Sequence, residues 1–327
     1  MNSSDHPADL VASPLRSSLP SLLDGLLGPR DHGRVLVTGW FSFLDGEVTA
    51  GDALAQRAVS GALDTLEVFH DTAWSPGFAP GALTLDSAVP DDYGHLLFVC
   101  GPLHGEQIAA LHRRYASCRR VAVGVSVIDR ADPAVGGFHR ILARDDPEGG
   151  VRPDLATAAP TTLPTPLAGI ALTHGQGEYR ERRCHDSVAA TVLPWLVGKD
   201  CARIDADTRL AHGDWRHCGT PDQYLSLLDR LDLMVTDRLH GLVLGLRAGV
   251  PVLAVDPVRG GAKVTAQARL LHWPAVLPGE NLGVELLDHW WDWCRSPDGT
   301  AAARHRSEVL ARASAEHTSG PQDGPER

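Results

Sequence analysis

Arg238 and His240 form the strongest chemical signal in this sequence, because a permanent cation and a titratable imidazole lie two residues apart. They follow an apolar, strand-like run that ends at Val235, and an amphipathic, helix-like run begins beside Gly241. Side chains two residues apart on an extended backbone point to the same side. Arginine binds phosphate or carboxylate through paired hydrogen bonds, and histidine exchanges protons near neutral pH. The spacing therefore predicts a site in which both side chains face one small anionic ligand.

The predicted elements around this segment place it at the edge of a parallel sheet. Residues 233–235 are typical of a buried strand, residues 252–255 indicate the next strand, and the connection between them has apolar positions at helical spacing. Open α/β sheets bind ligands at the carboxyl ends of their strands. Free N–H groups of Gly241 and Leu242 at the helix start would add partial positive charge. We therefore expect Gly241 to take part in ligand binding.

A structural role is the alternative for the same residues. Asp237 and Arg238 would then form an ion pair at the surface, and His240 would cap the helix. Two charged residues alone would favour this role, because loop-end ion pairs are usually solvated. The glycine, the strand end and the helix start together favour a phosphate or carboxylate site.

The loop after the predicted strand 168–173 is the second candidate, with the sequence His-Gly-Gln-Gly-Glu-Tyr-Arg at 174–180. Its glycines allow the backbone to approach a ligand closely. Arg180 would supply a second cation, and His174 or Glu178 would act as an acid or a base. An ordinary strand-to-helix loop with a surface arginine explains the segment equally well.

Asp52 and Lys263 are further candidates. Asp52 lies just before the predicted helix 53–66, where it would orient a hydroxyl group of an acceptor substrate. A helix N-cap is the slightly favoured alternative for Asp52. Lys263 follows a Gly-Gly-Ala segment and would reach the ligand as another anion contact, although a solvated lysine explains its position nearly as well.

The 327-residue chain fits two domains of roughly 100–200 residues each. Strand-like apolar runs alternate with helix-like segments on both sides of a proline-rich stretch, which predicts an α/β fold with two Rossmann-like domains. The predicted divisions are a mobile N-terminal segment at 1–32, an N-terminal domain at 33–150, a Pro-rich linker at 151–167, a C-terminal domain with its last helix at 168–300, and a helix end with a disordered tail at 301–327.

The composition disfavours several classes of function. A net charge of -11 disfavours general nucleic-acid binding, which needs a basic face. No apolar run reaches the roughly 20 residues of a membrane helix, and the N-terminus lacks a secretory pattern. Six scattered cysteines without a CxxC pair or zinc-ligand spacing indicate reduced thiols rather than a metal site. We expect a cytoplasmic protein, with binding at a membrane surface left open.

The segment around Arg238 also resembles a known family. The run Thr-Asp-Arg-Leu-His-Gly at 236–241, the run Gly-Val-Pro-Val at 249–252 and the pair Lys-Val at 263–264 are similar to the C-terminal signature of the polysaccharide pyruvyl transferases. Three other segments resemble the family more loosely: Ala-Gly-Asp at 50–52, Arg-Asp at 144–145 and Pro-Asp-Leu at 153–155. The first of these lacks the asparagine that commonly precedes Gly-Asp in the family.

The resemblance implies a fold similar to the GT-B glycosyltransferases, with two Rossmann-like domains facing a cleft. It implies transfer of the pyruvyl group of phosphoenolpyruvate onto two hydroxyls of a sugar or glycan, which forms a ketal and releases phosphate. By motif position, Arg238 and His240 would contact phosphoenolpyruvate in the C-terminal domain, and His240 would bind the departing phosphate or transfer a proton. The N-terminal domain would hold the acceptor, lipid-linked glycans included. The resemblance implies phosphoenolpyruvate as the donor substrate and implies neither a cofactor nor a metal.

Two other functions stay open at the level of sequence. A GT-B nucleotide-sugar glycosyltransferase shares the architecture and also needs cations beside a diphosphate. Against it, no paired acidic residues in the C-terminal domain are placed to hold a ribose. A non-catalytic binding protein on the same fold is the second alternative, and the joint presence of Arg238 and His240 argues against that role.

Overall fold

The structure, a computed structural model, describes residues 7–28, 33–173 and 178–318. The chain divides into two compact units, residues 1–162 and residues 163–327. Each unit has its own largely parallel sheet and its own hydrophobic core. The predicted α/β class with two Rossmann-like units is therefore confirmed.

The first unit alternates strands with helices along most of its length. Its elements are α1 (Pro7–Leu27), β1 (Arg34–Thr38), α2 (Ala50–Thr65), β2 (His70–Thr72), β3 (Tyr93–Val99), α3 (Glu106–Arg114), β4 (Arg119–Ser126), α4 (Pro133–Gly136), β5 (Arg140–Asp146) and β6 (Gly150–Val151). The described strands form a six-stranded sheet in the order β2-β1-β3-β4-β5-β6, parallel throughout except between β5 and β6. Its first five strands follow the doubly wound order 2-1-3-4-5.

Both faces of this sheet are buried, which explains the continuous apolar runs in the sequence. Val35 and Val37 of β1 lie in one core cluster, and Leu36 between them lies in another. Alternate side chains of a strand point to opposite faces. A strand covered on both faces therefore needs apolar residues at every position. The apolar runs at 34–38, 96–100 and 121–125, which predict strands, match β1, β3 and β4 for this reason.

The N-terminal segment predicted to be mobile at 1–32 is largely the helix α1. Its Leu19, Leu23 and Leu27 are buried in the core of the first unit. Leucines at every fourth position form one apolar stripe along a helix. Burial of such a side chain contributes about 1.5–3 kcal/mol, which holds the segment in place. The rest of this segment lies outside the described residues.

The linker predicted at 151–167 is partly folded into the first unit. A 3-10 helix at Leu155–Ala158 lies within it, and the side chain of Leu155 is buried in the same core as α1 and α2. The division between the units falls later, after residue 162. The prolines on both sides of this helix are typical of a linker. Its burial depends on contacts with elements distant in sequence, which the local pattern does not reveal.

The second unit repeats the same arrangement. Its elements are β7 (Leu167–Ala171), α5 (His185–Val197), β8 (Ala202–Asp205), α6 (Pro221–Leu228), β9 (Leu233–Thr236), α7 (Leu239–Arg247), β10 (Val252–Asp256), α8 (Lys263–Leu270), β11 (Val276–Pro278), α9 (Val284–Arg295) and α10 (Pro297–Thr318). The described strands form a five-stranded parallel sheet in the order β11-β10-β9-β7-β8. Counted from β7, this is again the 2-1-3-4-5 order.

Helices α9 and α10 complete the second unit. Trp291 of α9 is buried edge-on against Trp195 of α5, with 5.5 Å between the ring centroids. Helix α10 extends into the region predicted as a helix end and disordered tail at 301–327, and its Ala303 is buried in the core of this unit. The residues after the end of α10 lie outside the described ranges. None of the described helices has both the length and the apolarity that crossing a bilayer requires.

Candidate functional site

The carboxyl ends of the strands in the second sheet surround a cavity of about 130 Å³. Strand β7 has β8 on one side and β9 on the other, so the strand order reverses between β7 and β9. Such a switch point leaves a crevice beyond the strand ends, where open α/β sheets bind ligands. The cavity is lined by Thr173 after β7, Thr208 after β8, Asp237 after β9 and Pro257 after β10.

Arg238 lines this cavity from the junction between β9 and α7, where its backbone is extended at φ -99° and ψ 136°. Its N–H donates a hydrogen bond to Oγ1 of Thr236 at 3.0 Å. The side chain is 12% exposed, and its Nη2 lies 3.6 Å from Oδ1 of Asp207. The buried Nε has no hydrogen-bond partner among the described residues. Arg238 is thus a fixed cation with a donor left for a ligand.

His240 lines the same cavity, although its side chain is exposed. It is the second residue of α7, which begins at Leu239, so only Arg238 of the pair is extended. The structure therefore brings both side chains to one cavity across a strand-to-helix junction rather than along an extended turn. The prediction of a free N–H at Leu242 is wrong, because this group donates to the carbonyl of Arg238 at 3.1 Å.

Gly241 acts on the cavity through packing. It is buried, and a Cβ at this position would lie 2.3 Å from Oγ1 of Thr236. That hydroxyl donates to the carbonyl of Ala171 at 2.8 Å and accepts the N–H of Arg238. A side chain at position 241 would displace the group that fixes Arg238. Gly241 itself is not among the described residues that line the cavity.

Lys263 is the first residue of α8 and lines the cavity from the side of β10. Asp256, the last residue of β10, is buried and accepts hydrogen bonds from the N–H groups of Val258, Ala262 and Thr265. These bonds fix the loop and the first turn of α8, which positions Lys263. The lysine Nζ lies 5.8 Å from the centroid of the Tyr179 ring, a cation–π contact beside the cavity.

Asp237 adds a buried carboxyl group to the cavity. Its Oδ1 accepts hydrogen bonds from the N–H and Oγ1 of Thr173, at 2.7 and 2.8 Å. Asp237 is 2% exposed, and its Oδ2 has no partner among the described residues. Burial raises the pKa of Asp237, against the lowering effects of Thr173, His185 and Arg238. The alternative of a surface ion pair with Arg238 is wrong, because this carboxyl group is buried.

His185 is a second cavity residue that the sequence pattern did not reveal. It is the first residue of α5, it is 2% exposed, and its Nδ1 has no hydrogen-bond partner in the described part of the chain. Burial lowers the pKa of His185, which favours the neutral imidazole. No local pattern marks this residue, because its burial arises from the fold of the unit.

Asp207 lies behind Arg238 and is 7% exposed. The guanidinium of Arg209 lies 2.6 Å from its Oδ2, and the N–H of Arg209 donates to its Oδ1 at 3.0 Å. Burial alone would raise the pKa of Asp207, but the hydrogen bonds from Arg209 and the charge of Arg238 lower it. The resulting carboxylate holds one side of the Arg238 guanidinium.

Arg180 and Asp52, two further predicted site residues, are not among the described residues that line this cavity. Arg180 is exposed in a 3-10 helix at Arg180–Arg182 and is not among the described residues that line it. Asp52 belongs to the first unit, where its carboxylate accepts from the N–H and Oγ1 of Thr49 in the capping box of α2. His174 lies outside the described residues. Within the described ranges, no group of three or more His, Cys, Asp or Glu side chains is placed to hold a metal ion.

Two of the three looser motifs, at 144–145 and 153–155, meet in the first unit. Nη1 of Arg144 donates to Oδ2 of Asp154 at 2.7 Å, and its Nε donates to Oδ1 of Asp145 at 2.8 Å. Asp154 also accepts an N–H at the start of the 3-10 helix that follows β6. These motifs therefore form one network that fixes this helix.

The comparison with protein families identifies part of the second unit. Residues 204–257 match the model of the polysaccharide pyruvyl transferase family. The match includes the segments 236–241 and 249–252, on which the resemblance rests in part. The resemblance to this transferase family is therefore confirmed over the matched region. No curated protein sequence matches the chain.

Several solved glycosyltransferases match most of the chain at low similarity. The glycotransferase of kitacinnamycin is 12% identical, with 90% of this chain and 100% of that chain covered and a TM-score of 0.28. The spinosyn rhamnosyltransferase SpnG, complexed with thymidine diphosphate, is 11% identical over 87% and 99% of the two chains, with a TM-score of 0.31. The glycosyltransferase SnogD from Streptomyces nogalater is 13% identical over 88% and 100%, also with a TM-score of 0.31.

Proposed function

We propose that this protein is a phosphoenolpyruvate-dependent pyruvyl transferase, which forms a ketal on two hydroxyls of a sugar or glycan and releases phosphate. The family match over residues 204–257 is the premise. The observation that carries the proposal is the cavity at the switch point of the second sheet, where Arg238, His240 and Lys263 meet.

The charge of this cavity suits phosphoenolpyruvate. The ligand carries a phosphate and a carboxylate, and Arg238 and Lys263 provide a fixed cation for each. Arg238 keeps an unpaired Nε donor, and arginine can bind either anionic group through parallel hydrogen bonds. The first turn of α7 adds its partial positive charge beside His240.

The size of the cavity also favours this donor over a nucleotide sugar. Sites for drug-sized ligands usually enclose about 300–1,000 Å³. The cavity here holds about 130 Å³, which suits a small anion. A nucleotide diphosphate would need space for its ribose and base as well. This comparison supports the pyruvyl transferase over the glycosyltransferase alternative.

The proposed reaction balances with the two substrates alone. The methylene carbon of phosphoenolpyruvate gains a proton, the oxygen of the first acceptor hydroxyl bonds to C2, and the bond from C2 to the phosphate oxygen breaks. The oxygen of the second hydroxyl then completes the ketal. The acceptor loses two hydroxyl protons in total. One balances the proton gained by the methylene carbon, and the other ends on the released phosphate. We assign His240 to the phosphate, where it hydrogen-bonds the leaving group and transfers a proton.

By the family resemblance, the acceptor binds to the first unit in this proposal. The reaction takes place in the cytoplasm. The six cysteines have free thiols, in agreement with a reducing compartment. The acceptor is a sugar, a glycan or another diol whose two hydroxyls can close a five- or six-membered ketal ring. Asp52 caps its own helix through Thr49, so we assign it no contact with the acceptor.

A direct assay tests the proposal. The full chain is incubated with phosphoenolpyruvate and a panel of p-nitrophenyl glycosides that offer 1,2- or 1,3-diols. We expect phosphate release together with the mass gain of one pyruvyl ketal. Release of a nucleotide from nucleotide sugars would instead support the glycosyltransferase. Absence of phosphoenolpyruvate binding by calorimetry would contradict the proposal and favour the non-catalytic alternative.

A further inference from the structure

The two oxygens of the Asp237 carboxyl group have very different surroundings. Oδ1 is fixed by two hydrogen bonds from Thr173, whereas Oδ2 is buried and has no partner within the described ranges. Asp237 nevertheless lines the cavity. A buried, ionised oxygen without a donor is costly, whereas a protonated oxygen carries its own hydrogen for a ligand to accept. Because Thr173 already donates twice to Oδ1, a proton on this carboxyl group belongs on Oδ2.

The groups around Asp237 and its burial act on its pKa in opposite directions. The neutral imidazole of His185 lies on α5, the cation Arg238 is the next residue, and Lys263 lines the cavity from α8. Asp256 is the other buried carboxyl group that lines the cavity. Its oxygens accept hydrogen bonds from backbone N–H groups, and it provides no hydrogen bond to Asp237. Burial is the largest influence on Asp237, and it raises the pKa.

We propose that Asp237, through Oδ2, is the catalytic acid that protonates the methylene carbon of phosphoenolpyruvate. This assignment rests on the proposed pyruvyl transfer and adds a catalytic residue to the same cavity. It divides proton transfer between two groups. Asp237 is buried and serves the carbon, whereas His240 is exposed and serves the phosphate.

The step conserves atoms and charge. The π electrons of the C=C bond take the proton from Oδ2, which leaves Asp237 as a carboxylate and C2 as a cation stabilised by its phosphate oxygen. The first acceptor hydroxyl bonds to C2, and its proton returns to the Asp237 carboxylate. The C2–O bond to phosphate then breaks, with its electron pair leaving on phosphate. The second hydroxyl closes the ketal, and its proton passes to the phosphate.

Asp237→Asn in the full chain separates this role from a structural one. Asparagine has the shape of a protonated aspartate, its Oδ1 accepts the same hydrogen bonds from Thr173, and its NH₂ group donates without releasing a proton. We expect kcat to fall by roughly 10²–10⁴, the usual contribution of general acid catalysis. The Kd for phosphoenolpyruvate should stay within about threefold, because a neutral side chain of the same shape replaces a neutral one.

The pH profile and a second variant complete the test. In the wild type, kcat should fall as pH rises through the pKa of Asp237, and this limb should be absent from the residual rate of the Asn variant. Asp237→Glu restores an acid and should recover part of the rate. Asp292→Asn, on the exposed face of α9, is the matched control for loss of a carboxylate.

The outcomes separate this inference from the proposed function. Near wild-type turnover by Asp237→Asn would overturn it, as would equal rates in the Asn and Glu variants. Loss of phosphoenolpyruvate binding by Asp237→Asn would overturn it too, since it would make Asp237 a binding residue. A wild type that binds no phosphoenolpyruvate, or releases no phosphate with any glycoside of the panel, would instead contradict the proposed function itself.

Discussion

Unpaired polar atoms converge on one cavity in the second unit. Among the described residues, Nε of Arg238, Oδ2 of Asp237 and Nδ1 of His185 are buried without hydrogen-bond partners, and all three residues line it. Buried polar atoms in folded proteins are nearly always paired. A ligand with hydrogen-bond acceptors and an atom that can take a proton would provide partners for these three atoms. At the residue scale, this concentration distinguishes the cavity from an ordinary surface depression.

His240 gives the most direct residue-scale prediction. His240→Gln retains a hydrogen-bonding group and loses proton exchange, so kcat should fall by about 10² or more while phosphoenolpyruvate still binds. Phosphate-release kinetics and calorimetry on the same preparation measure the two effects. His305→Gln, on the exposed side of α10, is the matched control. Near-normal turnover of His240→Gln would remove this side chain from the mechanism.

Asp237 should also make stability depend on pH. Its pKa is raised in the folded protein above the unfolded value of about 3.9. The stability that the neutral group contributes is therefore complete below that unfolded value and is lost as pH rises through the folded pKa. Asp237→Asn stays neutral, so its Tm should exceed that of the wild type by an amount that grows across this window and then levels off.

Thermal unfolding of both proteins between about pH 4 and pH 9 measures this difference. Asp292→Asn, as an exposed control, should give a Tm curve parallel to that of the wild type. A wild type that is more stable than Asp237→Asn at high pH would mean that Asp237 is ionised and stabilising.

At the scale of elements, the junction between β9 and α7 decides where Arg238 points. Gly241 lets α7 pack directly on Thr236, whose hydroxyl joins β7 to the N–H of Arg238. The second unit thus uses a packing contact to hold a functional side chain. Asp256 does the same for Lys263 at the junction between β10 and α8.

Gly241→Ala tests this junction. The new Cβ would lie 2.3 Å from Oγ1 and 2.9 Å from Cβ of Thr236, so the helix or the strand end must move. We expect the free energy of unfolding to fall by roughly 1–3 kcal/mol, a usual cost of overpacking. Urea denaturation measures this change, and calorimetry should show weaker phosphoenolpyruvate binding because Arg238 shifts.

Gly61→Ala in α2 is the matched control for this substitution. Its Cβ would meet nothing within 4 Å, so it should stabilise the helix by roughly 0.5–1 kcal/mol. Equal effects of the two alanine substitutions on unfolding would show that the junction adapts freely and that Gly241 does not position Arg238.

At the scale of the whole molecule, the core residues of each unit come from that unit alone. The cavity is likewise lined by residues of the second unit. Residues 163–318 expressed alone should therefore unfold cooperatively and bind phosphoenolpyruvate, but should not form the ketal, because the proposed acceptor site lies in the first unit. Denaturation and calorimetry test the two parts. Failure of this fragment to bind phosphoenolpyruvate, while the full chain binds it, would contradict this prediction.

Much of the fold follows from local pattern. Strands β1, β3, β4, β9 and β10 match apolar runs in the sequence, because strands covered on both faces are apolar at every position. Leucines at helical spacing in residues 15–27 are compatible with helix α1 but do not show that it is buried, and prolines surround the apolar residues of the 3-10 helix at Leu155–Ala158. Their burial depends on neighbours far along the chain.

For the cavity, the sequence pattern alone predicts that Arg238 and His240 lie at a junction between a strand and a helix, with Lys263 after the next strand. Residue type and spacing suffice for this, because a strand-to-helix junction is local. Only the tertiary structure brought Asp237 and His185 to the same cavity and left Oδ2 of Asp237 unpaired. Burial and hydrogen-bond pairing are properties of the packed sheet, and they arise where the strand order reverses between β7 and β9.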